Sequence, residues 1–142
     1  MKTVAQLLKL KPEGAISIRP EVPVLDALRL LADKDLGAVL VMDGSRLVGI
    51  VSERDYARKV ELRGKSANAT AVSEIMTREV VFVTPSQTNK ECMALMTGKH
   101  LRHLPVIDNE RVVGILSIGD LVKDAISEQQ FIIEQLEHYI HR

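Results

Sequence analysis

Arg46-Leu47-Val48-Gly49-Ile50-Val51-Ser52-Glu53-Arg54-Asp55 returns 65 positions later as Arg111-Val112-Val113-Gly114-Ile115-Leu116-Ser117-Ile118-Gly119-Asp120. At that offset residues 16–60 superpose on 81–125 without a gap, and twelve of the 45 pairs are identical, against roughly three expected from average composition. Besides the six identities in the quoted stretch, these are Pro20/Pro85, Leu30/Leu95, Lys34/Lys99, Leu36/Leu101, Val41/Val106 and Asp43/Asp108. The chain is a duplicated unit.

Working outward from this stretch, each copy reads as β-α-β-β-α. A short β-branched strand (Ile16 to Ile18; Val80 to Val83) runs into a proline, which keeps its predecessor extended and sets a turn. A helix follows on the 3–4 residue spacing of Val24, Leu25, Leu28 and Leu31, and of Cys92, Met93, Leu95 and Met96. The continuous apolar runs Ala38–Met42 and Leu104–Ile107 read as buried strands. Asp43-Gly44 and Asp108-Asn109 open hairpin turns, and Leu47–Val51 and Val112–Leu116 return. Gly49 and Gly114 fall at equivalent points of the return strands, and glycine there signals close approach by another backbone or a ligand. A second helix opens at Ser52 or Ser117. The segments 4–8 and 72–76 are matching short helices that lead into each copy, their three-residue change of register absorbed at Lys11-Pro12-Glu13. One copy of about 50 residues buries too little apolar surface to be stable alone. Two copies packed about a pseudo-two-fold axis form the expected α+β fold, with a C-terminal helix added. The boundaries along the chain are 1–60 for the first repeat with its N-terminal helix, 61–72 for a polar linker, 73–127 for the second repeat and 128–142 for the C-terminal helix.

Composition narrows the function. Hydrophobic residues make up 46% and charged residues 27% of the 142 positions, as in globular domains. Nineteen basic and nineteen acidic side chains cancel, so no overall field draws nucleic acid or an anionic membrane to the chain. No apolar run reaches the length of a membrane span and no secretory leader is evident, so a cytoplasmic protein is expected. The lone cysteine, Cys92, sits among helix-patterned apolar residues and reads as core, not as a reactive thiol.

The chemistry concentrates in Ser52-Glu53-Arg54-Asp55 and Ser117-Ile118-Gly119-Asp120, each following a buried strand and opening a helix. Taken singly, Ser-x-x-Asp is a capping box that satisfies free backbone N–H groups. Its recurrence beside the strand glycine, at a helix N-terminus with donors and a positive dipole end, also suits a phosphate or a polar sugar.

These segments, together with Leu101-Arg102-His103-Leu104-Pro105-Val106-Ile107-Asp108 and the lead-in Glu74-Ile75-Met76-Thr77, resemble the CBS domain signature, and the resemblance covers roughly residues 3–127. It implies a CBS pair, or Bateman module, with two clefts between its copies that take AMP, ADP, ATP, NAD(H) or S-adenosylmethionine. AMP or NAD(H) is the expected ligand. On the resemblance, Ser52 with Asp55, and Ser117 with Asp120, face ribose and phosphate. Gly37-Ala38 and Arg102-His103 wall the adenine or reach toward phosphate, Ile50 and Ile115 touch the base, and Met76 and Thr77 complete the ligand-binding set. Family members associate as dimers.

The copies are unequal. Arg54 and Arg58 in the first stand where the second has Gly119 and Lys123, and Arg102-His103 replaces Gly37-Ala38. Arg54 and Arg58 either project toward phosphate or form a solvated helix face. His100 and His103 lack companion ligands at a metal-site spacing, so no metal is expected. Residues 124–142 read as one helix whose stripe of Phe131, Ile132, Leu136, Tyr139 and Ile140 packs on its own module, forms a homodimer interface or binds a partner. Three functions are open: a nucleotide sensor acting on an effector protein, a scaffold without ligand, and an enzyme acting on a nucleotide. The last lacks a nucleophile–base pair, a P-loop or a dinucleotide fingerprint.

Overall fold

The structure, a computed structural model, describes residues 2–11 and 14–141. Pro12 and Glu13, where the change of register was placed, lie outside the described residues. In chain order the elements are α1 (Val4–Lys9), β1 (Ser17–Ile18), α2 (Val24–Lys34), β2 (Ala38–Asp43), β3 (Arg46–Ser52), α3 (Glu53–Tyr56) running into a π-helical turn (Ala57–Glu61), α4 (Val72–Ile75), α5 (Asn89–Lys99), β4 (His103–Asp108), β5 (Arg111–Ser117) and α6 (Ile118–Ile140).

Local chemistry accounts for most of these limits. Thr88 caps α5 by accepting from the Glu91 amide. Thr3 and Gln6 form a reciprocal capping box on α1. α2 and α5 both stop at a left-handed residue, Asp35 and His100, which are equivalent positions of the repeat. In copy one, β1 pairs parallel to β2 and β2 antiparallel to β3, with Gly44 in the left-handed region at the hairpin turn. In copy two, β4 and β5 form a two-stranded sheet.

The strand expected at Val80 to Val83 is reduced to a single parallel bridge between Val83 and Val106. The cause is a proline. In copy one the Leu40 amide donates to the Ile16 carbonyl (3.4 Å). The equivalent of Leu40 is Pro105, which has no N–H to give. The ladder therefore ends at Val83, whose amide and carbonyl bond to Pro105 and Ile107 (3.0 and 2.9 Å).

Two compact units result, and they are not the repeats in chain order: one comprises residues 1–12, 82–108 and 114–142, the other 13–81 with 109–113. The lead-in helices have been exchanged. In the unit holding copy one, the Val72 and Ser73 amides donate to the Val22 and Pro20 carbonyls (both 2.8 Å). In the other unit, the Val4 and Ala5 amides donate to Gln87 and Pro85 (2.8 and 3.0 Å). Pro20/Pro85 and Val22/Gln87 are repeat pairs, so the same turn receives the same two donors in each unit, from the helix that precedes the other copy. The polar segment 61–72 also joins the packing. Thr70 and Val72 are buried, and the Thr70 carbonyl accepts from the Val24 amide (2.8 Å).

The core of the first-copy unit is Val24, Ala27, Leu31, Val39, Val41, Val51, Val60, Val72, Ile75 and Met76. In the second-copy unit Val4, Leu7, Val83, Cys92, Met96, Leu104, Val106, Leu116 and Leu121 are buried, and the cysteine thiol is pushed up by burial and by the neighbouring Glu91. The tail is continuous with the second repeat: α6 is one helix of 23 residues. Phe131, Ile132, Leu136, Tyr139 and Ile140 are all exposed on it.

Candidate functional site

At the end of β3 the chain reverses from strand to helix, and Ser52 stays extended as the N-cap of α3. Its Oγ accepts from the Asp55 amide (3.1 Å), while Asp55 Oδ2 accepts from the Ser52 amide (2.9 Å) and hydroxyl (3.1 Å). β5 and α6 repeat the box: Ser117 Oγ accepts from the Asp120 amide (3.1 Å) and Asp120 Oδ2 from the Ser117 amide (2.8 Å). The local role of both pairs is thus helix capping. This fixes each carboxylate within one turn of the helix start.

A lysine faces each carboxylate, and here the copies part. In copy one Lys59, one turn further along the helix, places Nζ 3.0 Å from Asp55 Oδ1 and donates to the Ile75 carbonyl (2.8 Å). Thr77 Oγ1 adds a longer bond to the same Oδ1 (3.4 Å). Both Asp55 oxygens are engaged, and its side chain is 11% exposed. In copy two the cation comes from the other end of the chain. Lys11 Nζ lies 2.9 Å from Asp120 Oδ2 and donates to the Ile115 carbonyl (2.7 Å). Asp120 Oδ1 has no hydrogen bond among the described residues, and the side chain is 29% exposed. Burial works to raise the Asp120 carboxyl, but hydrogen bonds from Ser117 and Lys11 outweigh it and hold it below the usual aspartate range.

The position equivalent to Lys59 in copy two is Asp124. That carboxylate is buried and takes Lys2 Nζ on Oδ1 (2.7 Å) and Asn89 Nδ2 on Oδ2 (2.6 Å). The amino-terminal segment therefore supplies two lysines to a helix that carries an acid where its repeat partner carries a base.

The strand glycines are approached as their recurrence suggested, and the neighbour is protein. A β-carbon on Gly49 would stand 2.8 Å from Met76 Sδ and 2.9 Å from the Thr77 carbonyl; one on Gly114 would stand 2.7 Å from Leu8 Cδ2. Ile50 and Thr77 exchange backbone hydrogen bonds (3.0 and 2.8 Å). The structure thus gathers Ile50, Ser52, Asp55, Met76 and Thr77 in one unit, with Met76 buried and Thr77 exposed. Met76 and Thr77, expected as the approach to copy two, belong to the surroundings of Asp55.

Gly37 is exposed, Ala38 buried, and the Gly37 carbonyl accepts from the Glu53 amide (3.1 Å). At the equivalent place the Arg102 carbonyl accepts from the Ile118 amide (2.9 Å). Arg102 is exposed and His103 half-buried. Burial, then the Lys11 ammonium, push the His103 imidazole down against the pull of Asp120. Ile115, Ser117, Asp120 and His103 therefore share one unit with Lys11. Arg54 and Arg58 are both exposed. Among the described residues no group of three or more His, Cys, Asp or Glu side chains is placed to hold a metal ion, and no helix is long and apolar enough to cross a membrane.

Sequence reasoning missed Lys59, Lys11 and Leu8. The match of residues 4–8 to 72–76 was a signal for Leu8, since it sets Leu8 opposite Met76. Lys59 was readable as an i, i+4 partner of Asp55. Nothing in the sequence brings Lys11 to Asp120.

Comparison with known proteins gives this geometry a family. The family model described as CBS domain matches residues 13–62 and 72–126. The "CBS domain-containing protein CBSX3, mitochondrial" of Arabidopsis thaliana is 33% identical over 147 residues, covering 97% of this chain and 71% of that protein. The chain spans only 24% and 23% of two further Arabidopsis relatives. Among solved structures, a protein with CBS domains from Burkholderia ambifaria MC40-6, classed with signal transduction, superposes with TM-score 0.87 at 52% identity, covering 90% of this chain and 96% of that one. The CBS domain pair of protein MJ0100, in complex with 5′-methylthioadenosine and S-adenosyl-L-methionine, shares the fold at TM-score 0.79 and 22% identity, over 90% of this chain and 98% of that one. With its duplicated strand-to-helix junction matched twice, the chain belongs to the CBS domain family as a tandem pair.

Proposed function

We propose that this CBS pair is a regulatory module that binds an adenine nucleotide at its two Ser-x-x-Asp junctions and transmits occupancy to an effector protein, without catalysing a reaction. AMP and NAD(H) are the preferred ligands, ahead of ADP and ATP. One observation carries the reading: at both junctions a capping carboxylate is held against a lysine ammonium, at 3.0 Å for Asp55 with Lys59 and 2.9 Å for Asp120 with Lys11. A fixed carboxylate accepts from both hydroxyls of a ribose, and an adjacent ammonium meets a phosphate. Ser52, Ser117 and the helix N-termini add donors, Ile50 and Ile115 offer apolar contact to the base, and Gly37-Ala38 and Arg102-His103 flank it. Arg54 and Arg58 extend the positive surface of copy one toward a pyrophosphate, and Met76 and Thr77 border its carboxylate. The adenosine-bearing ligands held by the MJ0100 pair support the ligand class.

The two sites differ. Asp120 keeps an oxygen with no partner among the described residues, whereas Asp55 is closed by Lys59 and Thr77, so copy two takes ligand first. The module acts as a homodimer in the cytoplasm. Its single cysteine is buried and free, which suits a reducing compartment.

The test is a thermal-shift and calorimetry series with AMP, ADP, ATP, NAD, NADH and S-adenosylmethionine. Ligand at about 100 times its Kd stabilises the native state by about 2.7 kcal/mol. Asp120→Ala weakens the tighter binding event and Asp55→Ala the weaker one. Each loses roughly 10- to 100-fold in affinity, as for a charged hydrogen bond, while circular dichroism remains native. No shift with any of the six ligands establishes the scaffold reading instead, and turnover of a nucleotide by clean protein establishes an enzyme.

A further inference from the structure

The carboxy-terminal part of α6 carries apolar side chains that its own unit does not cover. Val122, Ile126, Ile133, Leu136 and Ile140 are all exposed, and their spacing is ordered. Steps of four, three, four, three and four residues lead from Val122 through Ile126, Gln129, Ile133 and Leu136 to Ile140. That is an unbroken heptad seam, with isoleucine at every a position (126, 133, 140) and valine, glutamine and leucine at d (122, 129, 136). By contrast Phe131 lies on the opposite side of the helix, half a turn from Ile133. There it lines, with Lys2, Ser127, Glu128 and Ile132, a separate open hollow of about 480 Å³. The apolar stripe of the tail thus divides: Leu136 and Ile140 belong to the seam, whereas Phe131 and Ile132 line the hollow.

We propose that this seam is the homodimer interface, and that α6 pairs with α6 of a second copy as a parallel, two-stranded coiled coil. The inference rests on the homodimer reading above and specifies its face, partner and polarity. β-branched isoleucine at every a position, with leucine at d in Leu136, is the pattern that favours two parallel strands. Gln129 selects the partner. In a parallel pair d packs against d, so the one polar residue of the seam meets its own copy and the two amides satisfy each other. Against an antiparallel helix or an unrelated apolar groove, the amide would be buried opposite hydrocarbon. Flanking positions raise no like-charge contact, because Ala125 faces Gln130 and Ile132 faces Glu137 across a parallel pair. Nineteen residues from Val122 to Ile140 give a seam about 28 Å long.

Sedimentation equilibrium on the full chain tests the proposal. The wild type is a dimer in the micromolar range, and Ile133→Asp or Leu136→Asp weakens association by roughly a hundredfold while native circular dichroism and nucleotide-dependent melting are kept. Ile126→Cys and Leu136→Cys, each alone, form an oxidised covalent dimer, with the buried Cys92 silent in the wild-type control. A monomeric wild type overturns the homodimer reading and the seam together. A dimer undiminished by both aspartate variants leaves the homodimer standing and removes the seam. Cross-linking only when the two cysteine variants are mixed makes the pair antiparallel and overturns the polarity proposed.

Discussion

The two strand-to-helix junctions share a backbone, a capping box and a lysine–aspartate pair, yet the lysines come from opposite parts of the chain. Copy one closes its junction locally, with Lys59 one turn from Asp55. Copy two imports Lys11 from the amino-terminal segment, and a second import, Lys2, serves the aspartate that replaces Lys59. Duplication preserved the groups that hold the backbone and left the charge to be supplied from wherever packing delivers it. A capping box needs only neighbours three residues apart, so it survives in both copies. An ion pair needs two groups close in space, and a change in one is compensated by any other that reaches.

The contrast between the glycines gives the largest expected effect. At Gly49 a methyl group meets a backbone carbonyl, Thr77, as well as Met76; at Gly114 it meets only the movable end of Leu8. Gly49→Ala is expected to cost about 2–3 kcal/mol and Gly114→Ala about 1 kcal/mol or less, as for overpacking against fixed and yielding neighbours. Denaturant melts of the two variants check this, and equal losses would mean that the two approaches are equally rigid.

Exchanging the lysines sharpens the comparison next. Lys59→Met strips the cation from a nearly buried carboxylate, and Lys11→Met from a more open one, so Lys59→Met is the more destabilising, by about 1 kcal/mol. Affinity runs the other way. Lys11→Met weakens nucleotide binding at copy two about tenfold and leaves copy one unchanged, by titration calorimetry. A loss at both sites would break the assignment of one lysine to each.

The smallest effect is with pH. Burial would raise the Asp124 carboxyl, but hydrogen bonds from Lys2 and Asn89 leave it lowered, and Asp120 is lowered as well. A carboxylate with a lowered folded pKa contributes stability that is fully present above the unfolded value of about 3.9 and is lost as pH falls through the folded value. Melting temperatures below pH 4 should therefore fall less steeply in Asp124→Asn than in the wild type. An unchanged acid limb would remove Asp124 from that account.

How much of this was legible follows from the range of each interaction. Both capping boxes, the hairpins and the equivalence of the glycines stood in the sequence, because each depends on residues a few positions apart. The shortened strand of copy two was legible too, through Pro105 in place of Leu40, although the expectation of a strand at Val80 to Val83 passed over the missing amide. The apolar stripe of the tail was visible at helical spacing. Which of its residues share a seam, and which belong with Lys2, depends on the unbroken course of α6.

By itself, then, the sequence determined a duplicated α+β unit with two strand-to-helix junctions, because periodicity, turn chemistry and capping are properties of neighbours along the chain. Only the tertiary structure decided that each lead-in helix serves the copy it does not precede, and that Lys11 stands before Asp120. Those pairings join residues fifty or more positions apart. Hydrogen bonds and charges act over a few ångströms of space, and the packing of the whole chain decides which distant groups come within that reach.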